Sequence, residues 1–588
     1  MITLGLNAAF HDSAAAIVVD GVTLAAAEEE RFSRIKHAKR PVPFTAWELP
    51  FNAIDYCLAQ AGVELAQVDH VAYSFDPRCF LGDRADGTSG LMLPFEPSAH
   101  PNGLWENPWD PLFATYVINA PRQLVDGAPH HLRARFASRA RRFRWHHVNH
   151  HLCHQASAFL AAPFARCAVM TLDGRGERAS TSYGVYREDA YSPMGGVDVP
   201  HSLGLLYEQV TSHLGFLHSS DEYKVMALAA LGSPRHRDAL SERVHVGSGG
   251  QFSIAQLDLT RVLGPARKCG EPLDQRHFDA AASLQAVLEE TVLRLALWLR
   301  ERSGERCLAM AGGVALNCVM NARLRDSGMF DQVWVQPAAG DAGTALGAAL
   351  WIDALERGVQ PGPAQAPARR LSARRWRMEH AYLGPGYGDE QIEAQLRWAK
   401  LKYRRMRVPA EEVARLLAQD RIVGWFQGRM EFGPRALGAR SILASPIAPD
   451  MQARLNELKD REDFRPVAPA VPEEDLAQWF TPSQANEGRS PFMLFLYDVL
   501  PGRRERIPSA CHADGTARVQ TVDAATNPGF HALLKAFGAR TGVPVLVNTS
   551  FNVRGEPIVC TPRDAIDAFF STPLDALVIG PFLIEKQP

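Results

Sequence analysis

Ile2-Thr3-Leu4-Gly5-Leu6 and, a few residues on, Ala14-Ala15-Ala16-Ile17-Val18-Val19-Asp20-Gly21-Val22 decide how the chain begins. A short apolar run bounded by turn residues reads as a strand. Asp-Gly between two such runs signals a type I′ hairpin, because both central residues must take positive φ. A third run, Val22 to Ala26, completes the pattern. It returns where Cys167 to Leu172 ends in Asp173-Gly174-Arg175-Gly176 and a strand-like Ser182 to Tyr186 follows. Two copies of strand, polar turn and strand predict a duplicated α/β domain.

Working outward, Phe278 to Arg302 predicts a helix, with Leu284, Val287, Leu288, Val292, Leu295 and Leu299 near a period of 3.6. Further strands are expected at Cys307–Met310, Ile422–Phe426, Pro544–Val547 and Ala576–Ile579. Residues 357–375 are rich in Pro, Gly, Ala and Arg without an apolar period, so they are expected to link a domain over 1–356 to a second α/β domain over 376–588. The 78–145 stretch, with Trp105, Trp109, Phe113, Tyr116 and a basic run from Arg133 to Arg144, reads as an insertion that serves as a lid or packing layer, or as part of an acceptor pocket.

A chain of 588 residues exceeds one hydrophobic core. Its net charge of -2 gives no basic stripe for nucleic acid, and no apolar run is long enough to span a bilayer. Nine scattered cysteines without a CxxC pair point to free thiols and a cytoplasmic setting.

Chemistry concentrates at His150 and His154. Positions i and i+4 share a helix face, so both imidazoles can reach one ion. Asp173, at the Gly-rich turn, and Asp341, in Gly340-Asp341-Ala342-Gly343, supply carboxylates. Two imidazoles and two carboxylates suit Fe(II) or another divalent first-row metal. A zinc-protease reading fails because His151 stands where HExxH needs glutamate. Gly312, Gly313 and Asn317 follow a strand and open a helix, a setting that favours phosphate. No Walker loop occurs. Arginine recurs in Gly428–Ser441, Lys459–Pro466 and His512–Thr521, with glycine in the first and third, and Pro544–Asn552 ends an apolar run in Asn548-Thr549-Ser550. Arginine forks bind phosphate and carboxylate oxygens.

Gly5-Leu6-Asn7 with Phe10-His11-Asp12-Ser13-Ala14, the His150 and His154 pair, Asp221-Glu222-Tyr223-Lys224-Val225-Met226, Gly312-Gly313-Val314-Ala315-Leu316-Asn317, Gly340-Asp341 and Gly555-Glu556-Pro557 stand in one order. Over nearly the whole chain this set resembles the O-carbamoyltransferases of nodulation-factor and antibiotic biosynthesis. The sequence departs from that pattern at Ala227 and through 78–145. The resemblance implies an actin-like first domain of the threonylcarbamoyl-transferase type and a YrdC-like second domain. The second would form carbamoyl-adenylate from carbamoyl phosphate and ATP, with Mg2+ accompanying the nucleotide. The first would pass the carbamoyl group to a hydroxyl of a small metabolite. The metal residues would be His150, His154, Asp173 and Asp341. Lys224, Gly312, Gly313, Asn317, Arg435, Arg465 and Ser550 would bind the co-substrates, and His11, Lys459 and Arg518 would serve catalysis. A homo-oligomer is left open. Three rivals remain at this point: a tRNA threonylcarbamoylation enzyme, an actin-like metabolite kinase and a nucleotide-binding regulator.

Overall fold

In a computed structural model of the chain, residues 1–38, 49–81, 117–118, 120–125, 143–358, 369–483 and 485–586 are described. Most of the 78–145 stretch and of the 357–375 linker lies outside them. The described chain forms two compact units. One comprises Met1–Ser202, Cys307–Ala315 and Trp334–Met378; the other comprises Leu203–Arg306, Leu316–Val333 and Glu379–Pro588. The division in space is interleaved, whereas the expected division was collinear. Residues 203–306 and 316–333 cluster with the C-terminal part. Apolar periodicity locates a helix but not the unit it packs in.

The first unit confirms the duplication through topology. Strands Ile2–Asn7, Ala14–Val19, Val22–Glu28, His70–Tyr73 and Arg144–His147 stand in the spatial order third, second, first, fourth, fifth. The first three pair antiparallel; the fourth runs parallel to the first and the fifth parallel to the fourth. Strands Arg166–Leu172, Ala179–Arg187, Ala190–Asp198, Cys307–Ala311 and Gln332–Val335 repeat that order, with Arg369–Arg370 added beside Ala190–Asp198. The first hairpin turns as its sequence requires, with Asp20 at φ 49° and Gly21 at φ 84°.

Two helices of this unit lie unusually close. Helix Ala342–Arg357 is buried along Ala342, Gly343, Ala345, Gly347, Ala348 and Ala349. A Cβ on Gly347 would run into the carbonyl of Cys153 in helix His150–Phe159. A backbone this near excludes any side chain between the helices. The contact brings the start of one helix beside the start of the other.

In the second unit, helix Gln275–Ser303 buries Leu284, Val287, Leu288, Val292, Leu295 and Leu299, the periodic set. The side chain of Asp274 caps its start by accepting from Arg276 N, and Gly304 at φ 70° ends it. The C-terminal part is a mixed eight-stranded sheet in the order Arg404–Arg405, Phe582–Glu585, Ala576–Ile579, Val423–Phe426, Arg440–Ala444, Leu546–Ser550, Ala468–Pro472, Gln520–Val522. Strand Leu546–Ser550 begins two residues later than the apolar run and continues into Asn548-Thr549-Ser550, because partners on both sides saturate its backbone.

Substituting Gly347→Ala forces the two helices apart. We expect a loss of about 1–3 kcal/mol in the stability of the first unit, read as a lowered first transition in calorimetry.

Candidate metal centre and anion pocket

Helix His150–Phe159 starts at Asn149, whose side chain accepts from Leu152 N at 3.1 Å. The remaining orphan donors of that first turn need acceptors. Glu177 meets one of them: its carboxylate accepts from His150 N at 2.8 Å, and it also accepts from the Asn149 Nδ2 side-chain amide at 2.9 Å and from Asp76 N at 2.7 Å. A carboxylate here also complements the helix dipole. Burial pushes Glu177 up to about 7, against the pull of His150 and the donated N–H groups.

The helix then presents two imidazoles on one face. His150 Nε2 and His154 Nε2 lie 3.1 Å apart. Asp173 Oδ2 stands 3.6 Å from His150 Nε2 and 3.8 Å from His154 Nε2, and Asp341 Oδ1 stands 3.5 Å from both. Both histidines are fully buried. Asp173 comes from the end of strand Arg166–Leu172 and Asp341 from the start of helix Ala342–Arg357. The four expected metal residues therefore meet at one point. A cation ~2.1 Å from its ligands sets them ~3.0 Å apart in octahedral and ~3.4 Å apart in tetrahedral geometry, so these edges suit a first-row ion.

Second contacts aim the ligands. The Ser74 carbonyl lies 3.2 Å from His150 Nδ1 and takes its N–H, which leaves the Nε2 lone pair facing inward. Gly313 N donates to Asp173 Oδ1 at 2.7 Å, while Oδ2 faces the imidazoles. Gly312, at φ 95°, lets that loop approach, since a Cβ there would strike the Leu172 carbonyl. Burial opposes charge on His150, yet Asp341 and Asp173 outweigh it and hold the ring well above the usual histidine range. Burial likewise opposes ionisation of Asp173 and Asp341, and the imidazoles override it, so both are lowered. His151 is excluded from the group. It pairs with Ser182 Oγ at 3.0 Å, and burial pushes it down to about 3.

The second unit holds a different charge arrangement. Lys459 Nζ donates to Ser550 O at 2.5 Å, Ser550 Oγ at 3.0 Å and Asn552 Oδ1 at 2.8 Å. Burial, then Arg461 and Arg465, hold this ammonium well below the usual lysine range. Arg461 and Arg435 are each lowered to about 9 by burial and by neighbouring arginines. Arg518 is lowered by burial, with Arg465 adding to it. Guanidinium does not give up its proton in proteins. The shifts therefore reflect burial of like charges close together, which an anion would relieve. Arg435 Nε, Arg461 Nη2 and Arg518 Nε are buried with no hydrogen-bond partner among the described residues. Glu431 shapes the loop carrying Arg435, its Oε1 accepting from Leu437 N at 2.6 Å and Ala439 N at 2.7 Å.

Arg465, stacked 4.6 Å over Tyr223, lies 3.8 Å from Glu462, which binds Lys224 at 2.9 Å. Lys224 thus joins the cluster through a carboxylate. Asn317 is engaged structurally: it caps helix Cys318–Asp326 and exchanges hydrogen bonds with Gln285 at 2.9 and 3.1 Å. Sequence reasoning missed Glu177, Arg461, Asn552 and Glu431. Arg461, Glu431 and Asn552 lie within the quoted stretches Lys459–Pro466, Gly428–Ser441 and Pro544–Asn552 but were not named individually for the site. Glu177 and Glu431 act on backbone N–H groups and leave no pattern.

His154→Ala should abolish stoichiometric binding of a divalent first-row metal, measured by elemental analysis of the purified protein. Glu177→Gln replaces an acceptor by an amide donor facing N–H groups. That change should lower stability by about 1–3 kcal/mol and raise the metal dissociation constant in the same preparation.

Residues 2–83 and 134–350 match the model of the carbamoyltransferase N-terminus, and residues 414–586 match that of the carbamoyltransferase C-terminus. An uncharacterized protein of Synechocystis is 38% identical, covering 99% of this chain and 96% of its own. Nodulation protein NolNO of Sinorhizobium fredii is 37% identical over 99% of this chain and 80% of its own. Nodulation protein NolO of Bradyrhizobium diazoefficiens is 40% identical over 75% and 79%. With both family models matched in order and full-length relatives at this identity, the chain belongs to the carbamoyltransferase family.

Proposed function

We propose that the chain is an ATP-dependent O-carbamoyltransferase acting on a hydroxyl of a small metabolite. The observation that carries this reading is the set of buried, unpartnered guanidinium nitrogens of Arg435, Arg461 and Arg518 beside Lys459 and Ser550. A site so short of negative charge suits a compact phosphorylated donor, and carbamoyl phosphate fits in size and charge. Arg465 and Arg518 would hold its phosphate oxygens, and Lys459, with Ser550 and Asn552, would bind the carbamoyl end. Water would first release phosphate from the donor to leave carbamate, whose oxygen would attack the α-phosphorus of Mg2+-ATP and expel pyrophosphate, giving carbamoyl-adenylate.

Transfer belongs to the first unit. His150, His154, Asp173 and Asp341 would hold Fe(II) or another divalent first-row metal, which supplies Lewis-acid polarisation when bound. The acceptor oxygen attacks the carbamoyl carbon as the bond to the adenylate oxygen breaks and AMP departs. His11 would take the acceptor's proton; its neighbour Phe10 packs its ring 5.3 Å from that of His150. The near-neutral net charge favours a small acceptor over tRNA. Among the described residues no helix is long and apolar enough to cross a membrane, in keeping with the cytoplasmic setting proposed here.

Two measurements test this. Arg518→Ala should lose about 10²-fold in carbamoyl-phosphate-dependent pyrophosphate release, the value of one charge-assisted contact in a buried site. Unchanged rate and KM would remove Arg518 from the pocket. Incubation with hydroxylated metabolites, carbamoyl phosphate and ATP should yield a product heavier by one carbamoyl group, and His11→Asn should abolish it with metal content preserved.

A further inference from the structure

Asp12 stands between two imidazoles. Its Oδ2 lies 2.8 Å from His11 Nδ1 and its Oδ1 lies 2.9 Å from His37 Nδ1. The two rings are 4.5 Å apart, centroid to centroid. An ionised carboxylate has only acceptor positions, so each Nδ1 must be the donor. A neutral imidazole carries one N–H, and spending it on Nδ1 places the lone pair of each ring on Nε2. Burial opposes ionisation of Asp12, but the two imidazoles outweigh it and hold the carboxyl well below the usual range.

The backbone around this group is held in place at a conformational expense. Phe10, Asp12 and His37 take φ of 57°, 47° and 61°, in the left-handed region that L side chains avoid. Such residues persist where their surroundings over-determine them, and they collect at functional sites. Buried Asn7 is the brace on one side: its Nδ2 donates to the carbonyls of His11 at 2.8 Å and Asp12 at 3.1 Å, and its Oδ1 accepts from Ser74 Oγ at 2.8 Å. On the other side Glu30 Oε2 accepts from His37 N at 2.6 Å. Phe10, between the brace and His11, meets the His150 ring edge-on at 84°. The array therefore adjoins the metal centre within the same unit.

We propose that Asp12 is a positioning residue that fixes His11 in the Nδ1–H tautomer, with His37 locking the carboxylate's second oxygen, so that Nε2 is the basic atom of His11. This deepens the carbamoyl-transfer reading and rests on it for the reaction served. In that reaction the acceptor O–H bond breaks toward His11 Nε2 as the new C–O bond forms. The resulting imidazolium keeps its Nδ1–H on Asp12 and later releases the Nε2 proton to water. Neither ring needs to move, and the charge gained by His11 is met by a carboxylate already in contact.

The test uses full-length protein loaded with zinc, a diamagnetic probe, labelled with 15N-histidine and held at about pH 8, above the ordinary imidazole range. Long-range 1H–15N correlation spectra report which nitrogen of each ring bears hydrogen, and His11→Gln and His37→Gln assign the two rings by loss of signal. We expect the Nδ1–H pattern at both. In Asp12→Asn a carboxamide offers an acceptor to one ring and a donor to the other, so one ring should change to the Nε2–H pattern while zinc content stays the same. An Nε2–H pattern at either wild-type ring overturns the proposal, as does an Asp12→Asn spectrum unaltered at both. If Asp12→Asn does not fold, the wild-type spectrum decides alone. Full turnover by His11→Asn would instead sink the assignment of His11 as base and leave the tautomers as they are, so the two failures are distinguishable.

Discussion

Two imidazole nitrogens 3.1 Å apart, each within 3.8 Å of two carboxylates and all buried, form a cup that must contain positive charge. Carboxylates only accept, and two inward lone pairs repel. The cup is satisfied by protons, as the raised basicity of His150 records, or by a cation that takes four lone pairs at once. Much of the first unit can be read as the apparatus that keeps these atoms converged. Gly347 admits helix Ala342–Arg357 against helix His150–Phe159, which sets Asp341 beside the imidazoles. Glu177 pins the first turn of the ligand helix. Gly313 turns Asp173. Each contact fixes a backbone first and a ligand second, so the donor set is rigid before any ion arrives.

What the sequence made legible follows from the range of the interactions involved. The Asp20-Gly21 turn, the periodic helix read over 278–302 and the i, i+4 histidines are local devices, and the structure shows all three, the helix extending over Gln275–Ser303. The Asp173 and Asp341 pairing was also legible, because each carboxylate stands at a Gly-rich turn and such turns collect at one end of a sheet. The interleaving of residues 203–306 with the C-terminal part was not legible. A helix pattern shows an apolar face but names no partner for it. Glu177 and Glu431 were invisible for a related reason: their partners are backbone N–H groups, which every residue has. Asn317, read toward a ligand from its glycine motif, also serves locally: its amide caps helix Cys318–Asp326 and pairs with Gln285.

A net charge of -2 over 588 residues conceals two local extremes. One unit concentrates carboxylates and imidazoles that want a cation; the other concentrates Lys459, Arg435, Arg461, Arg465 and Arg518, which want an anion. Averaged over the chain, such centres cancel, so composition speaks only of solubility and of partners large enough to feel the mean field. A small anion responds instead to the local field, and low-dielectric burial makes that field steep. The same burial that lowers the arginines in the absence of a counter-ion strengthens their grip on one that enters. It follows that affinity for an anion would depend on the walls, such as Tyr223 beneath Arg465 and the Glu431-braced loop behind Arg435, as much as on the charges themselves. Loosening a wall admits water and weakens every charge at once, whereas deleting one arginine removes a single contact and eases the repulsion among those that remain.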